Sequence, residues 1–277
     1  YFILACGGIE NSRLLLWTRA KNQEFIDRDL PIGHYWMHHP LVLAGKGIIN
    51  KKKIKKKLKD KFLNYDGPLF FATKKEFIIK KKILSASIYM NSREDTKIYK
   101  EIIKDILCVA PEYGKRIAGS IFKKDLKCGN IFMHIEEDPK KDNKIVLDNK
   151  KDEFEIPKVK LFYKKSDHSL RTAKIFLEEF ANLCVKEDFG RIAMSDNIYN
   201  LKKFDILGTA CHHMGGTRMG NNKIDSVVDR NLKVHNINNL YINGSSNFVT
   251  GGYTNPTYTI VQLAIRLAEN IKERLKT

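Results

Sequence analysis

No run of about 18 apolar residues occurs in the 277-residue sequence, which excludes a membrane-spanning helix from it. Cysteine is sparse and unpatterned. Cys6, Cys108, Cys128, Cys184 and Cys211 form no C-x-x-C pair and no metal-ligand spacing, so no metal site is expected. An odd number of scattered cysteines reads as free thiols, each a small buried hydrophobe, and argues mildly for a reducing, cytoplasmic compartment. An initiating Met and a charged leader are also missing. The opening Tyr1-Phe2-Ile3-Leu4-Ala5 reads as a strand entered partway through rather than a natural start, so any signal peptide lies out of view. There is no strand–G-x-G-x-x-G–helix, because Gly7-Gly8 lacks the spacing and no other glycine cluster supplies it. No internal repeat is present.

Acidic residues are few relative to basic ones, 32 against 50, giving a formal charge of +18. Such a charge would suit nucleic acid or an anionic membrane, but no recognition motif accompanies it. The lysines are spread along the chain among many Ile and Asn, which is a compositional bias, and no nucleic-acid partner is expected. The densest stretch, Lys51 to Lys61, has Ile54, Leu58 and Phe62 at intervals of four. That spacing predicts an amphipathic surface helix with a solvated basic face.

Three regions differ in texture. Residues 1–40 contain an apolar strand (Tyr1 to Cys6), the Gly7-Gly8 turn and a helix with Leu14, Leu15, Leu16 and Trp17, the pattern of a parallel strand in an α/β fold. Residues 41–205 carry short strands at Leu69-Phe70-Phe71, Ile83 to Tyr89 and Val159 to Tyr163. The last two partly alternate apolar with polar, as antiparallel strands do. A helix is expected from Ser169 to Lys186, with Ala173, Phe176, Leu177, Phe180 and Leu183 on one face. Residues 206–277 return to a glycine-rich loop, a strand and a long helix. The fold class is therefore mixed α/β (α+β).

Chemistry concentrates in Cys211-His212-His213-Met214-Gly215-Gly216-Thr217-Arg218-Met219-Gly220 and, farther on, Gly251-Gly252-Tyr253-Thr254-Asn255-Pro256-Thr257. Glycines around a histidine let backbone approach a bulky ligand closely. Asn255 before Pro256 reads as an N-cap with proline at the first helical position. The helix it opens has Ile260, Ala264, Leu267, Ile271 and Leu275 in one stripe, and its start suits developing negative charge. Taken singly, His213 is an ordinary loop histidine and Asn255 an ordinary cap.

Joined, the pieces resemble the glucose-methanol-choline (GMC) family of FAD-dependent oxidoreductases. The family's His-x-x-Gly-Thr is matched by His213-Met214-Gly215-Gly216-Thr217, followed by Val227-Val228-Asp229, by Leu240-Tyr241-Ile242-Asn243-Gly244 and by Asn255-Pro256-Thr257 in the family's order. Upstream, Gly7-Gly8 followed by Leu14-Leu15 is similar to its Gly-Gly-x-x-x-x-x-Leu-Leu turn, and Met37-His38-His39-Pro40 to its Met-x-His-Pro. The middle of the chain keeps only the outline, and Val249 stands where many members have proline.

The resemblance implies an oxidoreductase acting on a CH–OH group of an alcohol or sugar, with FAD as cofactor and hydride passing to flavin N5. It puts His213 in the role of base and Asn255 beside the substrate oxygen, with His212 one place off the register. It places Gly7 and Gly8 near the adenosine side, Asn243 and Gly244 near the ribityl and pyrophosphate, and Pro256 and Thr257 at the helix start facing the flavin. In domain terms it implies that residues 1–40 and 206–277 belong to an incomplete Rossmann-like FAD layer and residues 41–205 to an antiparallel-sheet substrate domain. The absent glycine motif then implies a missing N-terminal half, from the same protein or a partner chain. The alternative is a non-catalytic remnant or interaction protein that keeps the fold.

Overall fold

A computed structural model describes residues 1–58, 70–91, 126–201, 206–209 and 212–276. The first unit comprises residues 1–40, 136–169 and 209–277, the second 41–135 and 170–208. Residues 136–169 thus group with the termini and not with the rest of 41–205.

In the first unit, β1 (Phe2–Leu4) leads directly into helix α1 (Gly7–Lys21). It pairs in parallel with β10 (Leu240–Ile242), far away in sequence, through Phe2↔Leu240, Ile3↔Tyr241 and Leu4↔Ile242. A 3₁₀ turn (Ser245–Asn247) follows β10, and α6 (Thr257–Arg274) closes the chain. The core joins Leu15 of α1 to Val227, Val228, Leu232, Val234, β10 and Leu267 of α6. The expected α6 stripe therefore holds at Leu267, Ile260 and Ile271, but Leu275 at its end is exposed. β6 (Lys144–Lys151) and β7 (Pro157–Phe162) form an antiparallel hairpin. Arg13 of α1 ties down its β7 end, donating from Nε to the Pro157 carbonyl at 2.7 Å and pairing with Asp152.

The second unit is built on an antiparallel sheet in the order β3-β4-β5-β2-β8, with β9 (Ile206–Thr209) also paired to β2. Its strands are β2 (Pro40–Asn50), β3 (Phe70–Ala72), β4 (Ala86–Asn91), β5 (Leu126–Ile135) and β8 (Gly190–Met194). Val42, Ala44, Ile88, Met133 and Ile135 face inward, and α4 (Asp167–Lys186) covers them with Ala173, Phe176, Leu177 and Phe180. The last buried position on α4 is Cys184, not Leu183, which is 40% exposed: the step of four from Phe180 continues the buried face where the step of three leaves it. Helices α2 (Lys51–Leu58), α3 (Lys75–Lys81) and α5 (Asp196–Tyr199) also belong to the described part of the unit. Ile54 is the buried anchor of α2, while Lys53 and Lys57 on its outer face pair with Asp188 and Glu187. The predicted positions Phe62, Leu69, Cys108 and Cys211 lie outside the described residues, and of the Cys128 side chain nothing is described.

Candidate active site

His213 sits where three backbone segments of the first unit converge. Met214 bridges antiparallel to Met37 through a pair of N–H···O bonds at 2.8 and 2.9 Å, so residues 36–39 run alongside 212–215. On the other side, the Gly215, Thr217 and Met219 amides donate to the carbonyls of Ser245, Ser246 and Asn247. The His213 carbonyl accepts from Ser245 Oγ at 2.6 Å. Two glycines make this packing possible. A Cβ on Gly8 would stand 2.1 Å from the His213 carbonyl oxygen, and one on Gly215, at φ +74°, would stand 2.0 Å from that of Tyr35. The first turn of α1 is thereby seated directly on the His213 backbone.

The His213 ring is half-buried, and its Nδ1 is buried with no hydrogen-bond partner among the described residues. Burial lowers its pKa below the ordinary 6.5, so the imidazole is neutral near pH 7 and able to take up a proton. Its ring lies nearly parallel to that of Trp36, at 5.7 Å between centroids and 29°. His212 turns away to His39, Nδ1 to Nδ1 at 3.2 Å, and His39 Nε2 lies 3.0 Å from the Gly251 carbonyl. A carbonyl only accepts, so His39 Nε2 carries hydrogen; in neutral His39, Nδ1 then accepts and His212 Nδ1 donates.

Asn255 is exposed, and among the described residues it makes no hydrogen bond to His213. Pro256, buried, already has helical φ/ψ of −77° and −16° just ahead of α6, while Asn255 offers no capping bond; its side chain faces solvent. Thr257 is likewise exposed. Even so, the start of α6 lies beside the His213 backbone. Ile260 and Leu263 pack against the Met37, Met214 and Phe248 cluster, and a Cβ on Gly251 would meet Met214 Cε at 3.1 Å.

The other expected positions gather at the carboxyl ends of the two parallel strands, the edge at which open α/β sheets take ligands. Gly7, at φ +95°, has open space above it. Asn243 donates its backbone amide to the Leu4 carbonyl, yet its Oδ1 is buried without a hydrogen-bond partner among the described residues. Gly244 follows at φ +144°. An orphaned buried oxygen beside an open glycine turn fits a hydroxyl-bearing ligand such as the ribityl or ribose part of a dinucleotide. Asn11, singled out for no role in the sequence, holds the two turns together. Its Oδ1 accepts from the Cys6 amide at 2.9 Å, and its Nδ2 donates to Ser246 Oγ at 2.9 Å and to the Asn243 carbonyl.

A second group, also not expected from sequence, lies beside His213. Trp36 stacks on His38 as well, at 5.4 Å and 23°, and Tyr163 meets both rings edge-on. Tyr163 lies 2.9 Å from His38 Nε2 and donates to Glu137 Oε1. Burial pushes the Glu137 carboxyl up to about 7 and His38 down to about 4, and raises Tyr163 above its ordinary value. The Met37-His38-His39-Pro40 motif hints at His38, but no pattern marks Glu137 or Tyr163, because their burial is a tertiary property.

Comparison with known proteins locates the similarity. The sequence profile of the GMC oxidoreductase family, C-terminal part, matches residues 139–264. Over 147 residues the chain is 28% identical to 2-methyl-1,2-propanediol dehydrogenase of Mycolicibacterium austroafricanum, covering 52% of this chain and 25% of that protein. Over 165 residues it is 27% identical to the fructose dehydrogenase large subunit of Gluconobacter japonicus, covering 59% and 28%. The chain thus spans about a quarter of the length of these relatives. Among solved structures, pyridoxine 4-oxidase from Mesorbium loti shares the fold with a TM-score of 0.58 at 12% identity, over 98% of this chain and 51% of that one.

Proposed function

We propose that this chain is the C-terminal portion of a GMC-family FAD-dependent oxidoreductase and that it provides the base for oxidising the CH–OH group of an alcohol or sugar, a reading supported by the similarity of residues 139–264 to that family. FAD, when bound, would supply the acceptor for a hydride leaving the carbinol carbon. His213 takes the hydroxyl proton onto its neutral imidazole. Asn255 donates its side-chain N–H to the substrate oxygen as negative charge builds there, and its exposure leaves it free to do so. Gly7 and Gly8 approach the adenosine side, Asn243 and Gly244 the ribityl and pyrophosphate, and Pro256 and Thr257 open the helix that faces the flavin. Residues 41–205 are, in this reading, the antiparallel-sheet domain that sets substrate choice.

The observation that carries this reading is His213 itself: a half-buried, neutral imidazole whose Nδ1 has no partner among the described residues, its carbonyl held by Ser245 and packed on Gly8, with Met37 paired to the adjacent Met214. In the flavin-loaded protein, His213→Ala is expected to slow flavin reduction by about 10² to 10⁴, the usual contribution of a general base. Undiminished reduction, followed by stopped-flow absorbance, removes His213 from that role.

The ADP half of FAD is held, in this reading, by a strand–G-x-G-x-x-G–helix segment outside these 277 residues, in the same protein or in a partner chain. Titration of the chain with FAD is expected to show weak or no binding, with tight binding restored when that segment is added. Tight binding by the chain alone would put the cofactor site elsewhere.

A further inference from the structure

Glu137 is 1% exposed and, among the described residues, the one carboxylate so enclosed. The proposed chemistry makes no use of it. It lies in line with two further buried groups: Tyr163 donates to Glu137 Oε1, and the same hydroxyl sits 2.9 Å from His38 Nε2. Among the described residues, His38 Nδ1 and Glu137 Oε2 are buried without a hydrogen-bond partner, so the line has two open ends. Asp138, Lys140 and Lys165 act on Glu137, and His39, His213 and Lys165 on His38.

A phenol has one hydrogen to donate, and that restricts the line to two arrangements. With Glu137 ionised, Tyr163 donates to the carboxylate, His38 donates Nε2–H to the phenol oxygen, and His38 Nδ1 is a lone pair. With a proton on Glu137 Oε1, the carboxyl donates to the phenol oxygen and Tyr163 donates to His38 Nε2. Neutral His38 must then carry its hydrogen on Nδ1. A proton on Oε2 instead would face no acceptor closer than His38 Nε2 at 3.5 Å, itself already committed as a donor.

We propose that Glu137, Tyr163 and His38 form a one-proton relay beside His213, in which a proton arriving at His38 Nδ1 comes to rest on Glu137. The step balances without another reactant. The Nδ1–H bond forms and Nε2–H breaks; the phenol gains that hydrogen and passes its own to Oε1. The net change is one proton stored on Glu137 and one tautomer switched at His38. The proton belongs on Glu137 and not on His38, because burial holds the carboxyl up near 7 and the imidazole down near 4. Trp36 stacks on both His38 and His213, so the relay adjoins the site where alcohol oxidation releases its proton. These are positioning residues, and the relay rests on the reading of His213 as base only for the source of the proton.

The test is the tautomer of His38 in the full chain labelled with ¹⁵N-histidine, read from long-range ¹H–¹⁵N spectra between about pH 5 and 9. His38 is expected to change from Nδ1–H to Nε2–H with a midpoint near 7, without passing through imidazolium. Glu137→Gln and Tyr163→Phe are each expected to abolish the change; should the phenylalanine variant fail to fold, the nearly isosteric glutamine variant carries the same comparison. A single His38 tautomer throughout, an imidazolium signal at the midpoint, or a switch that persists in Glu137→Gln overturns the relay. His213→Ala should leave the switch in place, so slowed flavin reduction in that variant judges the base reading separately.

Discussion

His38 and Glu137 titrate in opposite senses, and this predicts how stability responds to pH. His38 has a folded pKa of about 4 against an ordinary 6.5, so within that window the unfolded chain holds the extra proton. Its contribution is full above 6.5 and is lost as pH falls toward 4. Glu137 has a folded pKa of about 7 against 4.5, so there the folded chain holds the extra proton. Its contribution is full below 4.5 and is lost as pH rises through 7. Each amounts to on the order of 3 kcal/mol, and between about pH 4.5 and 6.5 the two slopes oppose one another. Native protein should therefore show a shallow dependence in that range. Glu137→Gln leaves the His38 contribution alone, and urea unfolding at a series of pH values should show stability falling steeply on acidification. An unchanged slope would mean that Glu137 is ionised throughout.

At the scale of elements, the first unit depends on a join between two turns that follow parallel strands. Asn11 alone serves the Cys6 amide, the Asn243 carbonyl and Ser246 Oγ, at zero exposure. Asn11→Ala is expected to destabilise the fold by about 2 to 3 kcal/mol, since buried groups left without partners cost more than a hydrogen bond contributes. Because Gly8 of the same helix seats on the His213 carbonyl, the variant should also slow flavin reduction. Thermal unfolding gives the first effect and stopped-flow absorbance the second. Some elements are legible from period alone, α4 from its repeat of apolar positions and β4 and β7 from their alternation, within a few residues of the expected ends, whereas the long strands β2 and β5 are not marked by it. The exchange of Leu183 for Cys184 on the buried face is not legible, since both are apolar and only the contact with the sheet decides between them.

For the whole molecule, the notable surface is the outer side of the two-stranded sheet. Tyr1, Phe2 and Ile3 are 51%, 67% and 50% exposed, and Phe25 stands close by, lining the same groove as Phe2. A parallel pair of three-residue strands with an apolar open edge is a template for further strands. On its own the chain should self-associate, and Phe2→Lys should shift it toward monomer in light scattering. An equally associated lysine variant would place the sticky surface elsewhere.

The sequence alone carried the resemblance to the GMC family, the mixed α/β class and the His213 motif, because glycines forced by backbone contact and a histidine at fixed spacing are local demands written in consecutive residues. It also assigned the first strand and the strand of residues 206–277 to one layer, and the two pair in parallel through Leu240–Ile242. The grouping of residues 136–169 with the termini, the exposure of Asn255, the turn of His212 toward His39, and the burial of Glu137 and Tyr163 around His38 were decided only in three dimensions. Glu137 looks in sequence like its neighbours Glu136 and Asp138. What distinguishes it is the dielectric around it and the phenol it accepts from, and both come from residues remote in the chain.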